Sequence, residues 1–157
     1  MEIVNNFLEK NICNYLIEYI NKNKTKKHGK TDVLSMDKAA AMEGIIDFKL
    51  ILANLNYLVK KYSPKTFINY SQIVKWPKGS SQNSHFDFDQ HSHTSILYLN
   101  DDFIGGETVV GNTVVKPKTG KLILFEGNEV KHEVLKVKSG TRYTNATWYL
   151  TQITEEQ

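Results

Sequence analysis

The sequence predicts an α+β fold, in which helices at the front of the chain pack on one sheet of a β sandwich or jelly roll. In the first third, apolar residues recur at the spacing of one buried helix face. From Lys65 onward, short apolar or alternating runs are separated by turn residues, and no helical pattern lies between them. The 157 residues correspond to about one ordinary domain, so we predict a single domain over residues 1–157. Residues 1–64 would be mainly helical support and residues 65–157 the β-rich core.

Two helices are predicted before Ser63-Pro64, where proline stops the second one because it cannot continue a helix. This second helical pattern runs from about Ala41 to Tyr62. Residues 21–31, between the two patterns, are polar and lysine-rich, which predicts a loop. The first pattern has one apolar face, made of Val4, Phe7, Leu8, Ile12, Tyr15, Leu16 and Tyr19.

Seven or eight short strands are predicted after Lys65, because Gly, Pro and Asn-Asp breaks bound each apolar run. Strands at this density without intervening helices are typical of a sandwich or jelly-roll barrel. The predicted strands are Thr66 to Trp76, Phe86 with Phe88, Thr94 to Leu99, Glu107 to Val110, Thr113 to Val115, Lys121 to Phe125, Glu133 to Val137 and Tyr143 to Thr151.

Composition excludes several classes of protein. The formal charge of +3 is modest, and the dense lysine patch between Lys22 and Lys30 is interpreted as a solvated loop rather than a nucleic-acid contact. Cys13 is the single cysteine, so no intrachain disulfide can form, and we expect it to be a small buried residue in a reducing compartment. The chain has no signal-peptide pattern and no run of 18 apolar residues. We therefore expect a cytoplasmic protein without a membrane partner.

A candidate metal site lies in the alternating segment that starts at His85. If this segment is extended, His85, Asp87 and Asp89 point to one side of it. His-x-Asp followed by the distant His132 is the sequence form of a facial triad, in which two imidazoles and one carboxylate hold one face of a ferrous iron. The alternation does not fix the members, because Asp89 with His91 would also be chemically acceptable.

The other histidines of this segment, His91 and His93, are interpreted as exposed loop residues, and Asp89 as solvated or as a turn acceptor. Arg142 is more informative, because it is the single arginine among twenty basic residues. Its planar, two-pronged cation can hold a carboxylate in a fixed orientation, which lysine cannot do.

With these motifs in order, the chain resembles the 2-oxoglutarate and iron(II)-dependent dioxygenases, in particular their prolyl 4-hydroxylase-like branch. The resemblance covers about residues 68 to 150. Each motif is weak alone, and their order and spacing together are specific. The matching pieces are Ile73 to Asp87, Thr94 to Asn100, Gly105-Gly106-Glu107-Thr108, Val115 to Gly120 with Leu122 to Phe125, His132-Glu133-Val134, and Gly140 to Tyr143 with Trp148.

This resemblance implies a double-stranded β-helix, or jelly-roll, catalytic core and a role for each matching residue. His85, Asp87 and His132 would be the metal ligands, with no catalytic residue beyond the metal site. Arg142 and Tyr98 would bind the distal carboxylate of 2-oxoglutarate, and Thr94 would face the same pocket. Three aromatic residues would line the pocket, with core packing as the alternative for the last two: Trp76, Phe125 and Trp148. Trp76 departs from the family, which often has a tyrosine at this position.

The resemblance also implies the reaction. The protein would hydroxylate a prolyl residue in a peptide or protein while decarboxylating 2-oxoglutarate to succinate, with Fe(II) and 2-oxoglutarate bound and ascorbate as a further candidate cofactor. Hydroxylation of another residue or of a free amino acid is the close alternative. A non-catalytic β-helix binding module with a vestigial metal site is the alternative of another class. Nucleic acid is disfavoured as a substrate, because demethylases of the superfamily use a second arginine and this chain has none. The oligomeric state stays open.

Overall fold

The computed structural model describes residues 1–152, in which three helices precede most of the strands. The helices are α1 (Lys10–Lys22), α2 (Met36–Glu43) and α3 (Ile46–Tyr62). The strands are β1 (Glu2–Val4), β2 (Lys26–His28), β3 (Thr31–Ser35), β4 (Thr66–Trp76), β5 (Gln82–His85), β6 (His93–Tyr98), β7 (Ile104–Gly105), β8 (Thr108–Val110), β9 (Thr113–Val115), β10 (Leu122–Phe125), β11 (His132–Val134), β12 (Val137–Ser139) and β13 (Arg142–Thr151).

Two antiparallel sheets form the body of the fold. The larger has seven strands in the order β1-β10-β6-β13-β4-β3-β2, and the smaller has four in the order β5-β11-β8-β9. Strands β12 and β7 form a short separate pair. Because most neighbours in the two sheets, such as β10 with β6 or β5 with β11, are distant in sequence, the strands cross over as in a jelly roll, and the predicted fold class is confirmed.

The seven-stranded sheet has a helix-packed face and a cavity face. On the helix-packed face, α1, α2 and α3 contribute side chains such as Leu16, Met36 and Phe48, which pack against Ile73 and Leu97 of the sheet. The cavity face lies towards the four-stranded sheet. Since successive side chains of a strand point to opposite sides, residues at alternate positions share one face. Residues of both sheets line a cavity of about 1200 Å³.

The front third of the chain differs from the prediction in three places. Val4 is not helical, because β1 pairs with β10 at the edge of the large sheet. Residues predicted as a lysine-rich loop form the β2–β3 hairpin, with Lys26 opposite Val33. The predicted second helix is two helices, since Gly44 has a left-handed conformation (φ 67°) that ends α2. The end of α3 at Tyr62 agrees with the prediction.

The later strands follow the predicted pattern more closely, and β4 has the predicted bounds. The predicted strand of Phe86 and Phe88 is wrong. Strand β5 ends at His85, and the Asp87 amide then donates to the Gly127 carbonyl at 2.9 Å instead of continuing a ladder. The predicted run from Glu133 to Val137 is divided between β11 and β12. Within residues 1–152, no helix is long and apolar enough to span a membrane.

Candidate active site

The two histidines of the sequence motif lie side by side on the cavity wall. His85 ends β5 and His132 begins β11, and the antiparallel register of these strands places them directly opposite each other. Their ring centroids are 4.4 Å apart. The pairing of two strands that are distant in sequence therefore creates a pair of imidazoles, as needed for a metal site.

Asp87 completes this cluster. Its Oδ1 lies 3.1 Å from Nε2 of His132 and 3.5 Å from Nε2 of His85. Each Nδ1 lies against a backbone carbonyl, at 2.7 Å from Asn83 for His85 and 2.9 Å from Val130 for His132. Because a carbonyl only accepts hydrogen bonds, each Nδ1 carries a proton, and Nε2 is the ring nitrogen that faces Asp87 and that can give its electron pair to a metal once it is deprotonated.

The geometry of this cluster fits a divalent first-row metal. One ligand atom from each of His85, Asp87 and His132 lies within 4.8 Å of the others. First-row metals bind imidazole nitrogens at about 2.1 Å, which brings adjacent ligands about 3 Å apart. The donor set of two imidazoles and one carboxylate suits ferrous iron and leaves coordination positions open. Gly127 belongs to the same arrangement, because any side chain there would collide with Asp87 and Thr94.

Opposing effects set the charges of this cluster. Burial raises the pKa of the Asp87 carboxyl, but hydrogen bonds from His132 and Thr94 and the nearby imidazoles lower it, so that the pKa lies below its usual value. Burial lowers the pKa of His132, but its hydrogen bond with Asp87 and its bond to Val130 raise the pKa above the usual value. Asp87 is therefore ionised and ready to act as a ligand.

The neighbouring candidates do not join the cluster. Asp89 is exposed in a turn. His91 was expected to be an exposed loop residue, but it is 4% exposed, and its Nε2 lies 3.0 Å from Oδ1 of Asn69. His93, also predicted to be an exposed loop residue, is instead half-buried at the start of β6, and its Nδ1 lies 3.0 Å from the Ser92 hydroxyl. Among the described residues, the metal-competent group thus consists of the three predicted ligands.

Arg142 begins β13 and is buried in the same cavity, with 1% of its surface exposed. Its Nη2 donates to Oγ1 of Thr108 at 2.9 Å. The guanidinium also lies over the rings of Trp76 at 4.8 Å and Tyr98 at 5.5 Å. Burial lowers the pKa of Arg142, with the Tyr98 hydroxyl opposing this effect. An arginine stays protonated even so, which makes this a buried cation with no carboxylate in contact among residues 1–152.

Two buried nitrogens in this part of the cavity have no hydrogen-bond partner among the described residues: Nε of Arg142 and Nε1 of Trp76. Each buried donor without an acceptor costs about 1–3 kcal/mol. A buried cation with an unpaired N–H, next to a second unpaired donor on Trp76, matches a ligand that brings negatively charged acceptor oxygens. A carboxylate has these properties, and the distal carboxylate of 2-oxoglutarate therefore fits the residues present.

The remaining predicted pocket residues lie around the metal cluster and Arg142. Tyr98 is buried, with its hydroxyl 2.5 Å from Oγ1 of Thr108. Thr94 donates to Asp87, so it touches the metal cluster rather than Arg142. Phe125 meets the His132 ring edge-on, and their centroids are 4.8 Å apart. Trp148 lines the cavity and stacks on Tyr70 with centroids 4.7 Å apart.

Sequence reasoning missed three residues of this site: Thr108, Gly127 and Tyr70. Thr108 joins Arg142 to Tyr98, and it closes the Gly-Gly-Glu-Thr motif, which was the available signal. Gly127 leaves room for the Asp87 carboxylate and gave no signal beyond a turn. Tyr70 lies opposite Trp148 in the register of β4 and β13, which the sequence alone does not fix.

Comparison with known proteins agrees with this geometry. The family model of the 2OG-Fe(II) oxygenase superfamily matches residues 69–150. Human prolyl 3-hydroxylase 2 is 40% identical over 65 residues, which cover 36% of this chain and 9% of that protein. The chain thus spans less than a tenth of the length of this relative.

Solved structures share the fold at low sequence identity. A viral collagen prolyl hydroxylase from Paramecium Bursaria Chlorella virus-1, solved as a 2OG complex, has a TM-score of 0.76 and 19% identity, covering 97% of this chain and 96% of its own. A prolyl hydroxylase from Trichoplax adhaerens, in complex with a hypoxia inducible factor oxygen degradation domain peptide fragment, also has a TM-score of 0.76 and 19% identity, covering 96% and 83%. Because the family model spans more than half of the chain, this protein belongs to the 2OG-Fe(II) oxygenase superfamily.

Proposed function

We propose that this protein is an iron(II)- and 2-oxoglutarate-dependent dioxygenase that hydroxylates a prolyl residue in a peptide or protein. One observation carries the proposal: a facial cluster of two histidines and an aspartate shares its cavity with a buried arginine that lacks an anionic partner among the described residues. Membership of the 2OG-Fe(II) oxygenase superfamily supports the same conclusion.

His85, Asp87 and His132 would hold the iron. Arg142 would bind the distal carboxylate of 2-oxoglutarate, with Tyr98 beside it. Iron and 2-oxoglutarate, when bound, would supply an oxidation by dioxygen, in which one atom of O2 ends in succinate as carbon dioxide is lost and the other is inserted into a C–H bond of the substrate.

The protein's own residues would position these groups and exclude water. The two carbonyls that accept from the histidine Nδ1 atoms fix the orientation of the imidazoles. Thr94 holds one oxygen of Asp87, which leaves the other oxygen facing both Nε2 atoms. Thr108 accepts from Arg142 and contacts the Tyr98 hydroxyl, so these groups act as one rigid unit. Such preorganisation is the usual contribution of a protein to cofactor chemistry.

A prolyl substrate fits the aromatic surroundings. Tyr70 and Trp148 form a stacked pair on the cavity wall, and Phe86 and Phe88 are 50% and 70% exposed where they line it. These flat apolar surfaces suit the ring of proline. The relatives named above are prolyl hydroxylases, and one of the structures holds a peptide. Ascorbate would serve as a supporting reductant, and the single buried cysteine, Cys13, suits a reducing, cytoplasmic setting.

The test combines turnover with metal binding. Purified protein is incubated with iron(II), 2-oxoglutarate and proline-containing peptides, and mass spectrometry records succinate and peptides that gain one oxygen atom. Asp87→Ala should abolish both products and weaken metal binding, while Asp89→Ala, a matched change two residues away, should preserve them. Equal turnover in the two variants would contradict the assigned ligand set. A wild-type protein that neither binds iron nor consumes 2-oxoglutarate would instead favour a binding module.

A further inference from the structure

We propose that Lys26, Lys30 and Lys136, here called the cavity lysines, bind an acidic stretch of the polypeptide substrate. The inference rests on the proposed function, since it assigns a charge to the segment that flanks the reacting residue. All three lysines are exposed and line the cavity that contains the candidate metal site.

The β2–β3 hairpin brings Lys26 to the cavity by strand register. Lys26 lies opposite Val33, Val33 opposite Val74, and Val74 opposite Thr144. Directly opposite residues of neighbouring strands share one face of a sheet, and alternate residues of one strand do so too. Because Thr144 is two positions from Arg142, Lys26 extends from the same face of the sheet as the buried arginine.

The other cavity lysines lie near the turn that follows β4. Nζ of Lys30, at the turn of the hairpin, lies 3.6 Å from the position that a Cβ would take at Gly79. Lys136 follows β11 and directly precedes Val137, whose carbonyl accepts from the Gly79 amide at 2.8 Å. Among residues 1–152, no ion pair includes these three residues. Lys27, by contrast, pairs with Asp32 at 2.7 Å.

Positive charges are in excess in the outer part of the cavity, where the cavity lysines lie. Asp87 is the single carboxylate among the described residues that line it. Ferrous iron, a 2-oxoglutarate dianion, Asp87 and Arg142 together carry no net charge when both histidine ligands are neutral. The cavity lysines are therefore left without counter-charge, and a ligand that fills the outer cavity gains most if it is anionic.

The shape of the cavity favours a peptide over a small anion. Its volume of about 1200 Å³ is above the range of about 300–1,000 Å³ typical of small-molecule sites. Exposed Phe86 and Phe88 on the same wall suit apolar parts of a peptide. Nucleic-acid recognition relies heavily on arginine forks at phosphates and guanines. The one arginine of this chain is buried beside the metal site.

The test compares two labelled peptides on the protein loaded with iron(II) and 2-oxoglutarate without oxygen. One peptide has a central proline flanked by aspartates and glutamates, and the other has asparagines and glutamines instead. The variant changes all three cavity lysines to glutamate. Its matched control has the same change of net charge at exposed helix positions on the other face of the sheet: Lys10→Glu, Lys38→Glu and Lys49→Glu.

Fluorescence anisotropy should show that wild type prefers the acidic peptide and that added salt reduces this preference. The cavity variant should bind the acidic peptide roughly tenfold more weakly, since each exposed ion pair contributes a factor of a few. The control variant should stay near wild type, and the amide peptide should bind all three proteins alike. Equal binding of the two peptides to wild type, or equal losses in both variants, would overturn the inference.

Two further measurements distinguish a failure of the peptide assignment from a failure of the proposed function. A labelled single-stranded oligonucleotide that binds more tightly than the acidic peptide, with the same dependence on the cavity lysines, would overturn the peptide assignment in favour of nucleic acid. Succinate formation without peptide is measured in parallel on wild type. Lysine-dependent binding of the acidic peptide by a protein that forms no succinate would refute the proposed function while supporting the acidic ligand.

Discussion

Replacing Arg142 by methionine should stabilise the ligand-free protein while it abolishes 2-oxoglutarate binding. The guanidinium is 1% exposed, and its charge has no anionic partner among the described residues. Replacing buried charges by apolar side chains of similar size is often neutral or stabilising by about 1–4 kcal/mol. Methionine has a comparable length and fills irregular space well.

The contacts of Arg142 narrow the expected change in the free energy of unfolding. The unpartnered Nε of Arg142 accounts for about 1–3 kcal/mol of destabilisation that methionine would remove. The substitution would also cost about 1–2 kcal/mol, because it removes the hydrogen bond to Thr108 and the contacts with the rings of Trp76 and Tyr98. At the midpoints of these ranges the net gain is about 0.5 kcal/mol, which corresponds to a rise in Tm of roughly 1–2 °C for a chain of this size.

Thermal unfolding followed by circular dichroism, with iron(II) and without oxygen, tests this prediction. Saturating 2-oxoglutarate should raise the Tm of wild type, since ligand at about 100 times its Kd adds about 2.7 kcal/mol, and should leave Arg142→Met unchanged. The order of stability would then reverse when the ligand is added. Arg142→Lys is the control, because it keeps the charge and loses the fork, so we expect no gain in stability and weaker binding. A methionine variant that is less stable without ligand, or that still responds to 2-oxoglutarate, would refute the reasoning.

Three other substitutions test neighbouring parts of the site. In Gly127→Ala the new carbon would lie less than 3.0 Å from Asp87, so calorimetric titration should show about 10–100-fold weaker metal binding with a nearly unchanged free energy of unfolding. Trp76→Phe keeps a ring against Arg142 and removes the unpartnered Nε1, so the affinity for 2-oxoglutarate should fall about fivefold, the value of one hydrogen bond of about 1 kcal/mol. Burial lowers the pKa of His91, although the charge of Asp87 opposes this effect. The unfolded chain therefore binds more protons at this residue, and its contribution to stability is lost as the pH falls through the usual imidazole range. Urea unfolding at several pH values should show a flatter acid dependence for His91→Gln.

Each of these three expectations has a clear contrary result. Wild-type metal affinity in Gly127→Ala would mean that the Asp87 carboxylate has room to move. An unchanged 2-oxoglutarate affinity in Trp76→Phe would mean that the indole nitrogen does not reach the co-substrate. An identical acid dependence of stability in His91→Gln would mean that His91 titrates alike in the folded and unfolded chains.

Local signals in the sequence were sufficient for some elements and not for others. Strand β4 was predictable because Ser63-Pro64 stops the helix before it and Pro77 starts the turn after it. Strand β2 was not, because Lys26-Lys27-His28 has no apolar side chain and exists through its pairing with β3. Val4 occurs at helical spacing with the residues of α1, yet it packs against the same core from an edge strand.

The candidate metal ligands could be chosen from spacing and resemblance, but their arrangement could not. The alternation argument assumed that the strand continues through Asp87. The strand instead ends at His85, and the bond from the Asp87 amide to Gly127 brings the carboxylate to the histidines. Thr108 and Gly127 act through contacts between segments far apart in sequence, so the Gly-Gly-Glu-Thr motif marks Thr108 without revealing its partners, and a turn signal marks Gly127 without revealing its closeness to Asp87.

Strand β13 has two sets of side chains, one lining the cavity and one packing against the helices. Thr144 and Ala146 line the cavity beside Arg142, whereas the Asn145 amide reaches Met36 of α2 and Tyr149 packs with α3. Substitutions at the cavity positions can reshape the room for a substrate without entering the helix-packed core. The residues that shape the cavity therefore alternate with the residues that hold the fold along the same ten positions. Changes at the first set can accommodate new substrates while the second set preserves the scaffold.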